Sequence, residues 1–279
     1  MDLDQYRTES LEAWDRSAGN WEEERDFLWT RTRPVSERLV ERLDPTPGDT
    51  VLELAAGPGD TGFLIAERVG EEGRVISTDF APGMVEVARR RAEELGLANV
   101  EHRVLDAERM DLDDSSVDGV VARFGYMLMA DRAAALAETR RVLSDSGRLS
   151  FAVWGQPDRN PWAMIPGMVL VEAGHLPPPE PGAPGIFAMG DPDRIRELVT
   201  GAGFGEPEIE QVVVEWRYRD ADDHWQKTLK LAMPIAEAVN ALDPEERERV
   251  RAMVADRIGQ RLRDGPSGLD GVAHVVVAE

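Results

Sequence analysis

Four charged residues stand at or inside aliphatic runs in the first half of the chain. Glu53 lies within Val51-Leu52-Glu53-Leu54, Asp79 closes residues 74–79, Asp106 follows 100–104, and Arg123 follows 117–122. Between the first two comes Ala55-Ala56-Gly57-Pro58-Gly59, then Asp60-Thr61 and an apolar run from Phe63 to Ala66. That order reads as strand, tight turn, helix. A glycine without a Cβ lets a ligand lie against the backbone, and the helix start turns unpaired N–H groups toward it. A carboxylate placed as Asp79 is can accept both hydroxyls of a ribose, one on each oxygen.

The elements that must hold these residues follow a regular alternation. Strand 50–54 precedes helix 61–69, strand 74–79 precedes helix 82–95, and strand 100–104 follows. Strand 117–122, helix 131–143 and strand 147–154 complete the run. Pro82 sits near the first turn of its helix, where a missing N–H costs little, and Gly96 ends that helix. Such alternation implies right-handed crossovers and a mostly parallel sheet. Ligands bind beyond the carboxyl ends of such strands, near the switch point, and the four charged residues fall there. Residues 1–45 read as helical and amphipathic, with Trp14, Trp21 and Leu28 recurring at sevens, up to the break at Pro45-x-Pro47-Gly48. Residues 155–190 are dense in proline and glycine around a short apolar helix, 161–174. They read as a functional lid or as a solvated linker. Helix 191–202, strand 208–216, two helices over 221–263 broken at Asp243-Pro244, and an apolar strand 271–278 finish the chain. The expected organisation is an N-terminal helical lid (1–45), a cofactor-binding core (46–155 and 191–279), and insertions at 155–190 and 218–265 forming a substrate cap.

Gly57-x-Gly59-x-x-Gly62, with Asp79 about twenty residues downstream, fits the dinucleotide fingerprint and so allows an NAD(P)-dependent oxidoreductase. Glu53 points elsewhere, because a nicotinamide-binding strand normally stays apolar at that position. Aliphatic strand, acid and G-x-G turn together resemble motif I of the class I S-adenosylmethionine methyltransferases. The resemblance covers about 50–155 by motif, and 191–216 plus 271–278 by topology. It is closest to the small-molecule type, typified by quinone C-methyltransferases and natural-product enzymes. It implies an α/β, Rossmann-like sheet of seven strands, mostly parallel with the last strand antiparallel, plus a mostly helical cap. It implies S-adenosyl-L-methionine as cofactor, bound by Glu53, Ala55, Gly57, Gly59, Thr61, Asp79, Phe80, Met84, Asp106, Ala107 and Arg123. Within that set Glu53 serves the cationic methionine end, directly or through water, and Asp79 the ribose. Asp106 and the Ala107 N–H serve the adenine edge, and Phe80 and Met84 its faces. Arg123, unusual at its position, pairs with the cofactor carboxylate, with Glu53 or with an acidic substrate. Plainer readings stand beside these: Asp79 as a helix cap, Asp106 as a turn residue, Phe80 and Met84 as core. The chain lacks an NPPY-like signature, which disfavours methylation of adenine N6 or of glutamine.

The 279 residues carry a net charge of −22, from 54 acids against 32 lysines and arginines. That balance disfavours nucleic acid or an anionic membrane as partner. No apolar run approaches the roughly 18 residues of a membrane span, and the polar, acidic start has no secretion-signal pattern, so a cytoplasmic location is expected. There is no cysteine, and the four histidines show no metal-ligand spacing. Methyl transfer from a sulfonium is an in-line displacement that needs alignment and exclusion of water. A general base is required only for a weakly acidic acceptor. Tyr126 and His175 are the candidates, and the plainer reading is favoured for each: Tyr126 as a cavity-wall residue, His175 as a loop histidine. Two alternatives remain beside a small-molecule methyltransferase: the oxidoreductase, and a non-catalytic module that binds the cofactor for a partner. The acceptor atom (O, C or N) and the oligomeric state stay open.

Overall fold

A computed structural model describes residues 2–180, 182–263, 265 and 268–279. The aliphatic runs form β1 (Thr50–Leu54), β2 (Arg74–Asp79), β3 (Val100–Val104), β4 (Val117–Arg123), β5 (Leu143–Trp154), β6 (Glu208–Val214) and β7 (Gly271–Ala278). They make one sheet in the order β3-β2-β1-β4-β5-β7-β6. The first five strands pair in parallel, and β7 lies between β5 and β6, antiparallel to both. The expected seven-stranded, mostly parallel sheet with an antiparallel last strand is therefore present. Strand order reverses between β1 and β4, which places the switch point there. The central strands read as unbroken aliphatic runs because both faces are covered; Val51, Leu52, Leu54, Val75, Val120 and Val121 are all buried.

The helices are α1 (Leu3–Glu23), α2 (Arg25–Leu43), α3 (Asp60–Val69), α4 (Pro82–Leu95), α5 (Arg132–Val142), α6 (Pro161–Glu172), α7 (Pro192–Gly201), α8 (Ala221–Leu231), α9 (Met233–Asn240) and α10 (Pro244–Arg263). Helix α2 packs on β4 to β7 and on α3, while α5 packs on α7. Val35, Leu39, Val40 and Leu43 carry α2 into the main core. Helix α1 belongs to a second cluster, where Leu11, Trp14, Ala18 and Trp21 meet Ala81, Met84 and Val87 at the start of α4. Helices α6, α8, α9 and α10 pack among themselves, and α1 rests on α8.

Two readings from sequence change. Residues 1–45 hold two helices, which meet at Glu24, a buried acid held by Lys227 and Lys230. Residues 221–263 hold three helices instead of two. Pro234 has no N–H to continue α8, and it sits in the first turn of α9, where none is needed.

Candidate active site

The turn after β1 uses its glycines for different reasons. Ala55, Gly57 and Gly59 all have left-handed backbones, with φ of 50°, 55° and 88°. A Cβ on Gly57 would meet nothing within 4 Å, so the backbone there faces free space. A Cβ on Gly59 would lie 2.6 Å from the Phe63 ring. A Cβ on Gly62 would collide with the Glu53 carboxylate. The third glycine of the G-x-G-x-x-G run thus makes room for an acid under the first turn of α3.

Glu53 is 2% exposed and accepts from the Gly62 N–H at 2.8 Å and the Ser77 hydroxyl at 2.9 Å. Burial pushes its carboxyl up to about 7, against those two hydrogen bonds and the Arg123 charge. Asp79, at the end of β2, is 7% exposed. Its Oδ2 accepts from the Gly57 N–H and its Oδ1 from the Ala81 N–H, each at 3.0 Å. Burial pushes this carboxyl up to about 6, and the backbone donors oppose the shift. Each oxygen of an ionised carboxylate retains acceptor capacity beyond one such bond. Asp79 therefore ties the glycine turn to the start of α4, and it gives α4 no side-chain cap, since Ala81 holds that position without one.

The remaining expected residues fall into distinct settings. Asp106 is exposed, and its Oδ1 accepts from the Glu108 N–H at 2.9 Å; Ala107 beside it is buried. Met84 is sealed between α1 and α4, with Phe80 half-buried against the same cluster. Thr61 is buried, and its hydroxyl lies 2.9 Å from that of Ser36 on α2. The half-buried Arg123 donates to the Thr32 hydroxyl and lies 3.7 Å from Asp60 Oδ2. Burial lowers its pKa, while Asp60 and then Glu53 raise it.

Tyr126 is a correction. It is fully buried, its hydroxyl lies 2.6 Å from Thr139 Oγ1, and its ring packs edge-on against Phe151. Burial raises its pKa well beyond the ordinary phenol. A hydroxyl so placed completes the core and reaches no acceptor. His175 follows α6, where its Nε2 lies 2.9 Å from Glu246 Oε1 at the start of α10.

Several site residues gave no signal in the sequence. Arg91 on α4 donates to the Pro58 carbonyl and, at 2.7 Å, to Asp60 Oδ1, clamping the glycine turn to α4. Helix α1 reaches the segments that follow β2, β3 and β4. Asp15 accepts from the Gly83 N–H at 2.6 Å, Arg7 donates to Glu108 at 2.9 Å, and the Tyr6 hydroxyl donates to the Leu128 carbonyl at 3.0 Å. Phe124, with φ of 62°, stacks on Trp154 at 4.1 Å, joining the ends of β4 and β5. Among the described residues no group of three or more acids or histidines could hold a metal ion. No described helix is long and apolar enough to cross a membrane.

The chain is similar to known proteins. The sequence profile of a family described as a methyltransferase domain matches residues 45–161. An aklanonic acid methyltransferase of Streptomyces sp. (strain C5) is 34% identical over 146 residues, 52% of this chain and 65% of that protein. A nocamycin O-methyltransferase of Saccharothrix syringae is 29% identical over 247 residues, 84% of this chain and 86% of that protein. The chain spans 65%, 35% and 55% of the lengths of three of the curated relatives it matches. The crystal structure of a putative methyltransferase from Bacillus halodurans superposes with a TM-score of 0.55 at 19% identity, covering 87% of this chain and 97% of that one, and so shares the fold.

Proposed function

We propose, from the methyltransferase domain matched over residues 45–161 and the relatives above, that the chain is an S-adenosylmethionine-dependent methyltransferase that transfers a methyl group to a small organic acceptor. The observation that carries this reading is the seat of Glu53 under Gly62. A pyrophosphate at this turn would meet a buried acid that can ionise near neutrality, whereas a ligand with a cationic end is favoured there. The residues fit the cofactor in other respects. Space over Gly57 admits a group against the backbone, and Asp79 offers acceptors beside it.

When bound, S-adenosylmethionine supplies an electrophilic methyl group on a sulfonium. The chain's part is to bind, orient and exclude water. Asp79 accepts from the ribose hydroxyls, and Ala107 with Asp106 reads the adenine edge. Glu53 and Arg123 set the charge beneath the turn. Helix α1 and the 155–190 segment close over the crevice, and α6 with α8 to α10 forms the wall facing the acceptor. A cytoplasmic location and a small-molecule partner fit the acidic composition. Incubation with methyl-labelled S-adenosylmethionine and a panel of hydroxylated aromatic compounds tests the reading. Label is expected in an organic-extractable product. Cofactor binding with no transfer to any acceptor would point to a non-catalytic module, and saturable NAD(P)H binding instead would point to an oxidoreductase.

A further inference from the structure

Arg132 is the first residue of α5, directly after the cap residue Asp131. Three features of that position disfavour a cation. The residue is 7% exposed. It stands at the positive end of a helix dipole. Arg194 adds a like charge nearby and, after burial, is the second cause that lowers its pKa. Buried charge is costly; Asp131 and Glu108 act on it through space, yet neither forms an ion pair with it. The guanidinium donates only to carbonyls, from Nη1 to Met129 at 3.4 Å and from Nη2 to Gly182 at 2.5 Å. Its Nε–H is buried and has no partner.

The acids around it are already engaged. Glu108 takes Arg7 on one oxygen and the Ala130 N–H on the other, at 2.7 Å. Asp131 caps the Ala134 N–H at 3.0 Å. Neither acid bonds the guanidinium, so its buried Nε–H is left as a donor for an acceptor from outside. The place suits a ligand of the crevice. Arg132 follows the loop that leaves β4 at the switch point. Tyr6 of α1 lies near enough to act on its charge, and Gly182 belongs to the 155–190 segment.

We infer that Arg132 anchors an oxyanion carried by the methyl acceptor, a carboxylate or the enolate of an acidic hydroxyl, at the N-terminus of α5. The word acceptor rests on the methyltransferase reading; the anion site does not. Its Nε–H supplies a directed, charge-assisted donor, and the helix start adds partial positive charge. The net charge of −22 repels an anionic molecule at a distance, so a local cation is what selects it.

Binding of matched probes to protein saturated with S-adenosylhomocysteine tests the inference by tryptophan fluorescence. One pair is 1-hydroxy-2-naphthoate and its neutral amide. The other is 2-hydroxy-1,4-naphthoquinone, an acidic enol, and its methyl ether. In at least one pair the anion is expected to bind tenfold or more tightly than its neutral twin, and the responding pair tells carboxylate from enolate. Arg132→Met should abolish that preference, Arg132→Lys should keep part of it, and both should bind S-adenosylhomocysteine as the wild type does. No preference in either pair, including no binding at all, overturns the inference. So does an undiminished preference in a folded Arg132→Met protein. If Arg132→Met does not fold, loss of preference in Arg132→Lys relative to wild type decides instead. Failure of S-adenosylhomocysteine to bind the wild type, read separately by calorimetry, would count against the methyltransferase reading and leave the probe comparison valid on the unliganded protein.

Discussion

Replacing Asp79 with asparagine keeps the side chain's shape and removes its charge and one acceptor oxygen. In the structure each oxygen takes a backbone N–H, from Gly57 and from Ala81. The amide NH2 must face one of these donors, leaving a buried N–H unsatisfied at a cost of about 1–3 kcal/mol. The substitution also relieves a burden. Burial lifts the carboxyl from 3.8 to about 6, so ionising it in the folded protein at neutral pH costs on the order of 3 kcal/mol. The two effects oppose each other at similar size, and overall stability should change little. Cofactor binding has no such compensation. Losing a charged acceptor for the ribose hydroxyls should weaken it by about 2–3 kcal/mol, roughly 30- to 150-fold in Kd. Calorimetry with S-adenosylhomocysteine, paired with urea melts, separates the two readouts. Unchanged affinity in a folded Asp79→Asn protein would refute the placement of ribose on this acid.

Glu53 and Asp79 have folded pKa values of about 7 and about 6, above the ordinary carboxylate range. Between about pH 4 and these values the folded state binds more protons than the unfolded one, so their contribution is present at low pH and lost as pH rises. Glu53→Gln, whose amide can still serve Gly62 and Ser77, should flatten that fall; urea melts showing the same pH 5 to pH 8 slope in both proteins would contradict this. Arg91→Met should weaken S-adenosylhomocysteine binding about tenfold by freeing the Pro58–Asp60 turn, an estimate from charged hydrogen bonds. Arg91→Lys should rescue little, because one ammonium lacks the planar fork, and equal affinity in all three proteins would dismiss the clamp. Hydrogen exchange over residues 3–23 and 155–180 should slow on saturation with S-adenosylhomocysteine as the crevice closes. Identical exchange in both states would leave these segments as static packing.

The sheet was legible because its strands are short aliphatic runs between turn residues, and β1, β2 and β3 lie where that pattern put them. The acids at their ends were legible for the same reason, since chain order alone carries them to the carboxyl edge. Partners distant in sequence were not legible. Arg91 meets Pro58 and Asp60 only after α4 packs beside α3, and nothing local to Arg91 marks it. Trp14 and Trp21 announced a helical face, but the surface it covers, Ala81, Met84 and Val87, follows from where α1 crosses α4. Tyr126 was chosen by residue type alone, and type does not tell where a side chain points; it turns inward to Thr139 and Phe151. Pro234 was a readable break, as Pro244 was, but only the second was used to divide residues 221–263.

The most direct test of the central claim is calorimetric titration of the purified chain with S-adenosylhomocysteine, NADH and NADPH in turn, in wild type and Gly57→Val. Gly57 has φ of 55° and free space above it, so a valine there both strains the turn and fills the approach. Saturable one-to-one binding of S-adenosylhomocysteine alone, lost in Gly57→Val, is the predicted result. Saturable binding of a nicotinamide nucleotide with none of S-adenosylhomocysteine would contradict it.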